Sequence, residues 1–224
     1  MSLLNRLSIA KKLIPVLFIS LLLSACGGGG GTETGGPEPE PDPIEPIVVE
    51  STRVIAIGDS IGNGFGIATP WPTRLSSIIN REVVNNSVTN EQTNFGVSII
   101  QQMIDENDPT HVFILLGTND AARGSVSGAI NNLQRMVNIA RNNDVIPIVG
   151  TLPPLTPAPP SMLPDFDTVA ADLLAEQISA GIRGLDNARI APVRAMVSRS
   201  NIVDGIHPND AGQQQIAEAM ATQF

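Results

Sequence analysis

RVIAIGDSIGNGFG, residues 53–66, begins as an apolar run, stops abruptly at Gly58-Asp59-Ser60 and continues into Gly62, Gly64 and Gly66. Val54, Ile55, Ala56 and Ile57 are consecutive apolar residues, the pattern of a parallel strand covered on both faces. Gly58 removes the Cβ that would obstruct a sharp turn. A serine delivered where such a strand stops stands at the carboxyl edge of the sheet, where open α/β sheets hold their ligands. Ser60 is therefore a candidate nucleophile, and the remaining chain can be read for a base, an orienting carboxylate and donors to an oxyanion.

Outward from this stretch the pattern alternates. Residues 71–80 read as a helix with Pro72 near its first turn, 82–85 as a short strand, and 98–106 as a helix. Residues 110–116, THVFILL, form a second long apolar strand. Val126, Ile130, Leu133, Val137 and Ala140 recur at helical spacing within 124–143, and 145–150 reads as a further strand. A proline-rich loop over 152–165 follows, then a helix over 167–185, a weak strand over 189–193 and a closing helix over 208–222. Such alternation predicts an α/β fold: a mostly parallel sheet of about five strands with helices on both faces.

The polar residues that could do chemistry fall at strand ends. Gly117-Thr118-Asn119-Asp120 follows the strand 110–116 directly, so Asn119 reaches the same edge as Ser60 and its amide can donate to a developing oxyanion. Asp204-Gly205-Ile206-His207 sets a carboxylate three residues before a histidine. One short turn can present both, Asp204 accepting from Nδ1 and leaving Nε2 to take a serine proton. That histidine acts when neutral, so activity is expected to rise through roughly pH 6 to 7.

Residues 1–25 read as a targeting segment. Arg6, Lys11 and Lys12 are followed by the apolar stretch 13–23, which at 11 residues is shorter than the roughly 20 needed to span a bilayer. Leu23-Ser24-Ala25-Cys26 resembles the bacterial lipobox, which implies lipidation of Cys26, the only cysteine in the chain, and a membrane anchor. Gly27 in place of an acidic residue after that cysteine implies sorting to the outer membrane in a host that has one. Residues 26–50 combine a glycine run with alternating proline and acid, a composition suited to an extended tether. The domain then occupies 51–224.

Residues 51–224 carry 10 arginines against 16 acids and no lysine, which excludes the basic stripe of a nucleic-acid groove. The glycines after Ser60 lack a Walker lysine and the G-x-G-x-x-G spacing of nucleotide loops. Gly58-Asp59-Ser60-Ile61-Gly62 fits the G-x-S-x-G elbow of α/β-hydrolases, but the serine follows the first strand and no HGGG segment precedes it. One cysteine and two distant histidines supply no metal-ligand set, and His111 at a strand start is read as structural.

Taken together, Gly58-Asp59-Ser60, Gly117-Thr118-Asn119-Asp120 and Asp204-Gly205-Ile206-His207-Pro208 resemble three sequence blocks of the SGNH or GDSL hydrolases. The glycines after the serine, Trp71-Pro72, Ala121-Ala122-Arg123-Gly124 and Asn209-Asp210-Ala211-Gly212 look most like the bacterial arylesterase, acyl thioesterase and lysophospholipase branch. The resemblance implies a flavodoxin-like α/β/α sandwich and an ester hydrolase without cofactor. It implies Ser60 as nucleophile, His207 as base, Asp204 as its orienting partner, and the Ser60 amide and Asn119 as oxyanion donors. The second block departs from the family: in Val83-Val84-Asn85-Asn86-Ser87-Val88-Thr89-Asn90 the best alignment sets Ser87 where the oxyanion glycine stands. Met162, Leu163 and Phe166, in the proline-rich loop, are candidates for lining an acyl pocket. A carbohydrate O-deacetylase and a non-catalytic acyl- or glycan-binding lipoprotein are the alternatives; the second predicts a broken triad, and no member is missing.

Overall fold

The apolar run that opens residues 53–66 forms β1 (Val54–Gly58), buried along its whole length. The computed structural model describes residues 52–158 and 167–224. After β1 come α1 (Ser60–Asn63), α2 (Trp71–Ile79), β2 (Val83–Asn85), α3 (Thr93–Asn107) and β3 (His111–Leu115). These are followed by α4 (Thr118–Ala122), α5 (Val126–Asn142), β4 (Ile146–Gly150), α6 (Thr168–Ile182), β5 (Arg189–Ala191), α7 (Val193–Met196), a 3-10 turn at Arg199–Asn201 and α8 (Asp210–Ala221).

The five strands make one sheet in the order β2-β1-β3-β4-β5, every neighbouring pair parallel. This is the flavodoxin-like order, and it gives the three-layer α/β/α arrangement expected from the alternation of elements. Strand residues alternate between the two faces. Ile55, Ile57, Val112, Ile114 and Val149 join one core with Ile100 of α3, Leu133 and Val137 of α5, and Ile178 of α6. Val54, Ala56, Phe113, Leu115 and Ile148 join the other with Trp71 and Leu75 of α2 and Ile216 and Met220 of α8. Two covered faces explain why β1 and β3 read as unbroken apolar runs instead of alternating ones.

Topology places the site. The chain leaves β1 for β2 on one side and returns to β3 on the other, so the carboxyl ends of β1 and β3 diverge at a switch point. Register pairs Gly58 with Leu115, which brings the segments starting at Asp59 and Leu116 out at the same level.

Some elements differ from the sequence reading. Helix α3 begins at Thr93, five residues before the expected start, and passes through Gly96. A Cβ on Gly96 would come 2.8 Å from Leu116 Cδ1 and close on Met136, so this glycine permits tight approach of α3 to α5. The short helices α1, α4 and α7 have no counterpart in the sequence pattern, since each is a single turn, below the length at which periodicity carries a signal. His111 stands at the start of β3 with its ring 4.7 Å from that of Phe224, and burial, with the nearby Arg189 charge, lowers its pKa to about 4.

Candidate active site

Ser60 is the first residue of α1, immediately after the β1 turn. Asp59 caps this helix, its Oδ1 accepting from the Ile61 N–H at 3.0 Å. Gly64, at φ +83, closes the turn in the left-handed region, and the Ser60 carbonyl accepts from the N–H groups of Gly64 and Phe65. From below, the buried Gln213 of α8 accepts from the Trp71 N–H at 2.8 Å and donates to the Ile61 carbonyl at 3.0 Å. One side chain thus supplies the missing cap of α2 and fixes α1 relative to it.

The 204–207 turn is built by its own carboxylate. Asp204 Oδ1 accepts from the N–H groups of Ile206 at 3.0 Å and His207 at 2.7 Å. Its Oδ2 lies 2.7 Å from His207 Nδ1. The acid therefore places the proton on Nδ1 and leaves Nε2 as an acceptor, 2.9 Å from Ser60 Oγ. Burial raises the Asp204 pKa, but the His207 N–H, the His207 ring and the Ile206 N–H outweigh it and hold the carboxyl below its ordinary value.

Asn119 lies in the first turn of α4, after Gly117 at φ +131. One hydrogen of its amide goes to the Glu91 carbonyl at 2.9 Å, which leaves the second for another acceptor. Its neighbour Asp120 holds the start of α3 against α4, accepting from the Thr93 N–H at 2.9 Å and the Thr93 hydroxyl at 2.8 Å. Ser60, Phe65, Thr89, Asn90, Asn119, Ile206 and His207 together line a cleft of about 170 Å³.

Ser87 does not take the place that the alignment gives it. Its N–H donates to Asn85 Oδ1 at 3.1 Å, and its hydroxyl is buried behind the nucleophile turn, where a Cβ on Gly58 would come 2.7 Å from Oγ. Asn90, three residues later, lines the cleft at φ +67, the left-handed region that glycine adopts most readily. Among the described residues its N–H has no acceptor. The missed signal was conformational: asparagine is one of the few residues that tolerate φ > 0, so it can stand in for glycine. Phe65 and Arg123 also belong to the site, though no sequence pattern marks them. Phe65 stacks on His207, and Arg123 donates to both Asn90 Oδ1 and the Asn119 carbonyl. Met162, Leu163, Phe166 and Cys26 lie outside the described residues, so the expectations for them carry no structural account.

This arrangement can abstract a hydroxyl proton, present the resulting oxygen to an acyl carbon and offer N–H groups to the negative charge that develops. The GDSL-like lipase/acylhydrolase family model matches residues 56–215, a span that runs from β1 to α8 and includes Ser60, Asn119, Asp204 and His207. The chain belongs to that family. It is a serine hydrolase acting on ester bonds. An arylesterase from Vibrio mimicus is 26% identical over 187 residues, covering 78% of this chain and 88% of that protein. Two solved structures share the fold. A member of the lipolytic protein G-D-S-L family from Veillonella parvula DSM 2008 has a TM-score of 0.64 at 19% identity, over 77% of this chain and 97% of the other. A carbohydrate acetylesterase family member from Sinorhizobium meliloti has a TM-score of 0.67 at 17% identity, over 76% and 96%. Among the described residues no group of histidine, cysteine and acid side chains could hold a metal ion, and no helix is long and apolar enough to cross a membrane.

Proposed function

We propose that the protein hydrolyses carboxylic esters or thioesters of the arylesterase, thioesterase or lysophospholipase kind through an acyl-enzyme on Ser60. The observation that carries this reading is the continuous line from Asp204 Oδ2 to His207 Nδ1 at 2.7 Å and from His207 Nε2 to Ser60 Oγ at 2.9 Å. Ser60 Oγ attacks the acyl carbon while His207 Nε2 takes its proton. The tetrahedral oxyanion is met by the Ser60 N–H, which as the first of a helix has no intrahelical acceptor, by the second Asn119 amide hydrogen, and by the Asn90 N–H. His207 then gives its proton to the departing alcohol or thiol, and the C–O or C–S bond breaks. Water attacks the acyl-enzyme with His207 again as base, releasing the acid and restoring Ser60. Asp204 stays ionised throughout, as its lowered pKa favours.

The second reading is carbohydrate O-deacetylation by the same residues. The observation in its favour is the size of the cleft: about 170 Å³ among the described residues, below the 300 Å³ or so of a typical small-molecule site, which suits a short acyl group. Initial rates of the full chain on aryl esters from acetyl to dodecanoyl, beside Ser60→Ala, separate the two. Ser60-dependent turnover extending to medium or long chains supports the first, and turnover confined to acetyl supports the second. Absence of Ser60-dependent turnover on every ester would remove both and favour an acyl- or glycan-binding role.

The reading extends to location: a lipoprotein anchored through Cys26 on the cell envelope, with 26–50 as tether. Support comes from the charged, apolar and small-residue sequence leading to Cys26. Cys26→Ser should move the protein from the membrane fraction to the soluble one; continued membrane association would sink the anchor.

A further inference from the structure

Four residues close a hydrogen-bonded ring across the oxyanion side of the cleft. The Asn119 side chain donates to the Glu91 carbonyl at 2.9 Å, and Glu91 is joined by a peptide bond to Asn90. Asn90 Oδ1 accepts from Arg123 Nη2 at 2.9 Å, and Arg123 Nη1 returns to the Asn119 carbonyl at 3.1 Å. The Asn90 link uses a side chain that a glycine in the same left-handed conformation would lack, so closure of the ring depends on Asn90.

We propose that Arg123 is a positioning residue for ester hydrolysis, holding Asn90 and Asn119 at the mutual spacing an oxyanion requires. The proposal rests on the ester-hydrolase reading above. Three observations carry it. Asn90 is at φ +67, a conformation costlier for asparagine than for glycine, and the Arg123 bond to its side chain is an interaction available to that conformer. Arg123 follows the single turn of α4, and its guanidinium folds back to the Asn119 carbonyl within that turn. Among the described residues Arg123 pairs with no carboxylate, so its planar fork is committed to the two cleft residues. Arg123 is exposed and does not line the cleft, so it acts through Asn90 and Asn119 and not on substrate.

The test is a double-mutant cycle on the full chain in detergent: wild type, Arg123→Ala, Arg123→Lys, Asn90→Gly and the Asn90→Gly/Arg123→Ala pair. Each is assayed for kcat and KM on an aryl acetate and for the rate at which an aryl fluorophosphonate labels Ser60. Displacement of oxyanion donors by a fraction of an ångström should lower kcat about tenfold in Arg123→Ala, with KM little changed and labelling slowed in parallel. Lysine keeps the charge without the fork, so Arg123→Lys should fall between; it also serves if the alanine variant fails to fold. In the Asn90→Gly background, where the side-chain acceptor is gone, the loss on removing Arg123 should shrink to about threefold or less. Equal losses in both backgrounds, or unchanged kcat and labelling in Arg123→Ala, would overturn the proposal while leaving the hydrolase reading intact. A wild type that neither turns over nor is labelled at Ser60 would overturn both.

Discussion

The ring of Phe65 lies stacked on that of His207, centroids 4.6 Å apart and planes inclined by 29°. Phe65 is 55% exposed, so its position is not explained by core burial; it covers one face of the imidazole at the mouth of the cleft. In the proposed reaction His207 takes the Ser60 proton, and that face then carries positive charge beside a π-system, an attraction worth about 0.5–1 kcal/mol at exposed sites. Phe65→Leu, which keeps bulk without the π face, should lower kcat on an aryl ester about two- to fivefold, the rate equivalent of that energy. Phe65→Tyr should retain the rate. Equal kcat for leucine and phenylalanine would show that the ring acts only as a cover.

Ser87 supports the site from behind. Its hydroxyl has no hydrogen-bond partner among the described residues, and it fills the space beside Gly58 and Gly62 where any Cβ on either would collide with it. An unpaired buried hydroxyl is destabilising, so Ser87→Ala should leave stability unchanged or raise it by up to about 1 kcal/mol in urea unfolding. Hydrolysis should stay within about twofold of wild type, since removing this hydroxyl touches no oxyanion donor. Loss of rate comparable to removing an oxyanion donor would return Ser87 to the role assigned by alignment.

Asp59 is buried, and its Oδ2 has no partner among the described residues. Burial raises its pKa from 3.8 to about 7 against the opposing hydrogen bond from the Ile61 N–H, and the Asp120 charge adds to the rise. Between those two values the folded protein keeps a proton that the unfolded chain has released. Its contribution is therefore fully present below pH 3.8, declines as pH rises, and is lost above about pH 7. Asp59→Asn preserves the Oδ1 acceptor and has no proton to lose. Its stability relative to wild type should grow from acid to neutral pH and level off above about 7, measured by urea unfolding across that range. Parallel profiles for the two proteins would show that the residue ionises normally.

The architecture was legible because its signals were long: two five-residue strands buried on both faces, and helices of 15 and 17 residues, α3 leading into β3 and α5 following it. The Ser60, Asn119 and Asp204-to-His207 segments were legible because each interrupts such an element with small and polar residues. Asn90 was not, because its part depends on a backbone angle, φ +67, that the nearby Asn85 and Asn86 could equally have supplied. Arg123 carries no such signal: its two acceptors lie 33 and 4 residues away, and the first comes within reach through the bonds of Asp120 to Thr93 and of Asn119 to Glu91. Helix α3 starts earlier than the sequence suggests because Gly96, a poor helix former, is accommodated there by close packing on Leu116 and Met136.

Gly205 gives the sharpest test of how the Asp204-to-His207 turn is held. It sits between Asp204 and Ile206 at φ +98, and its carbonyl accepts from the Thr156 N–H at 3.0 Å. A Cβ there would come 2.7 Å from Ala158 Cβ and 3.0 Å from the Thr156 carbonyl. The opposing segment cannot easily recede. Asp172 accepts from the Leu155 N–H at 2.8 Å, and Arg194 and Arg199 donate to the carbonyls of Pro153 and Leu155 while both pair with Asp172. Burial raises the Asp172 pKa, but Arg199, the Leu155 N–H and Arg194 outweigh it, so the carboxylate is held ionised and the clasp stays intact. Gly205→Ala should therefore displace the turn itself, adding about 1–3 kcal/mol of backbone strain and lowering kcat/KM about 100-fold, as a shift near 1 Å can. Adding Ala158→Gly removes the closest contact but not the strained φ, so the pair should recover part of the rate and only part of the stability. Full recovery would mean that the steric contact alone mattered; no recovery would place the whole cost in the backbone angle and the Thr156 carbonyl.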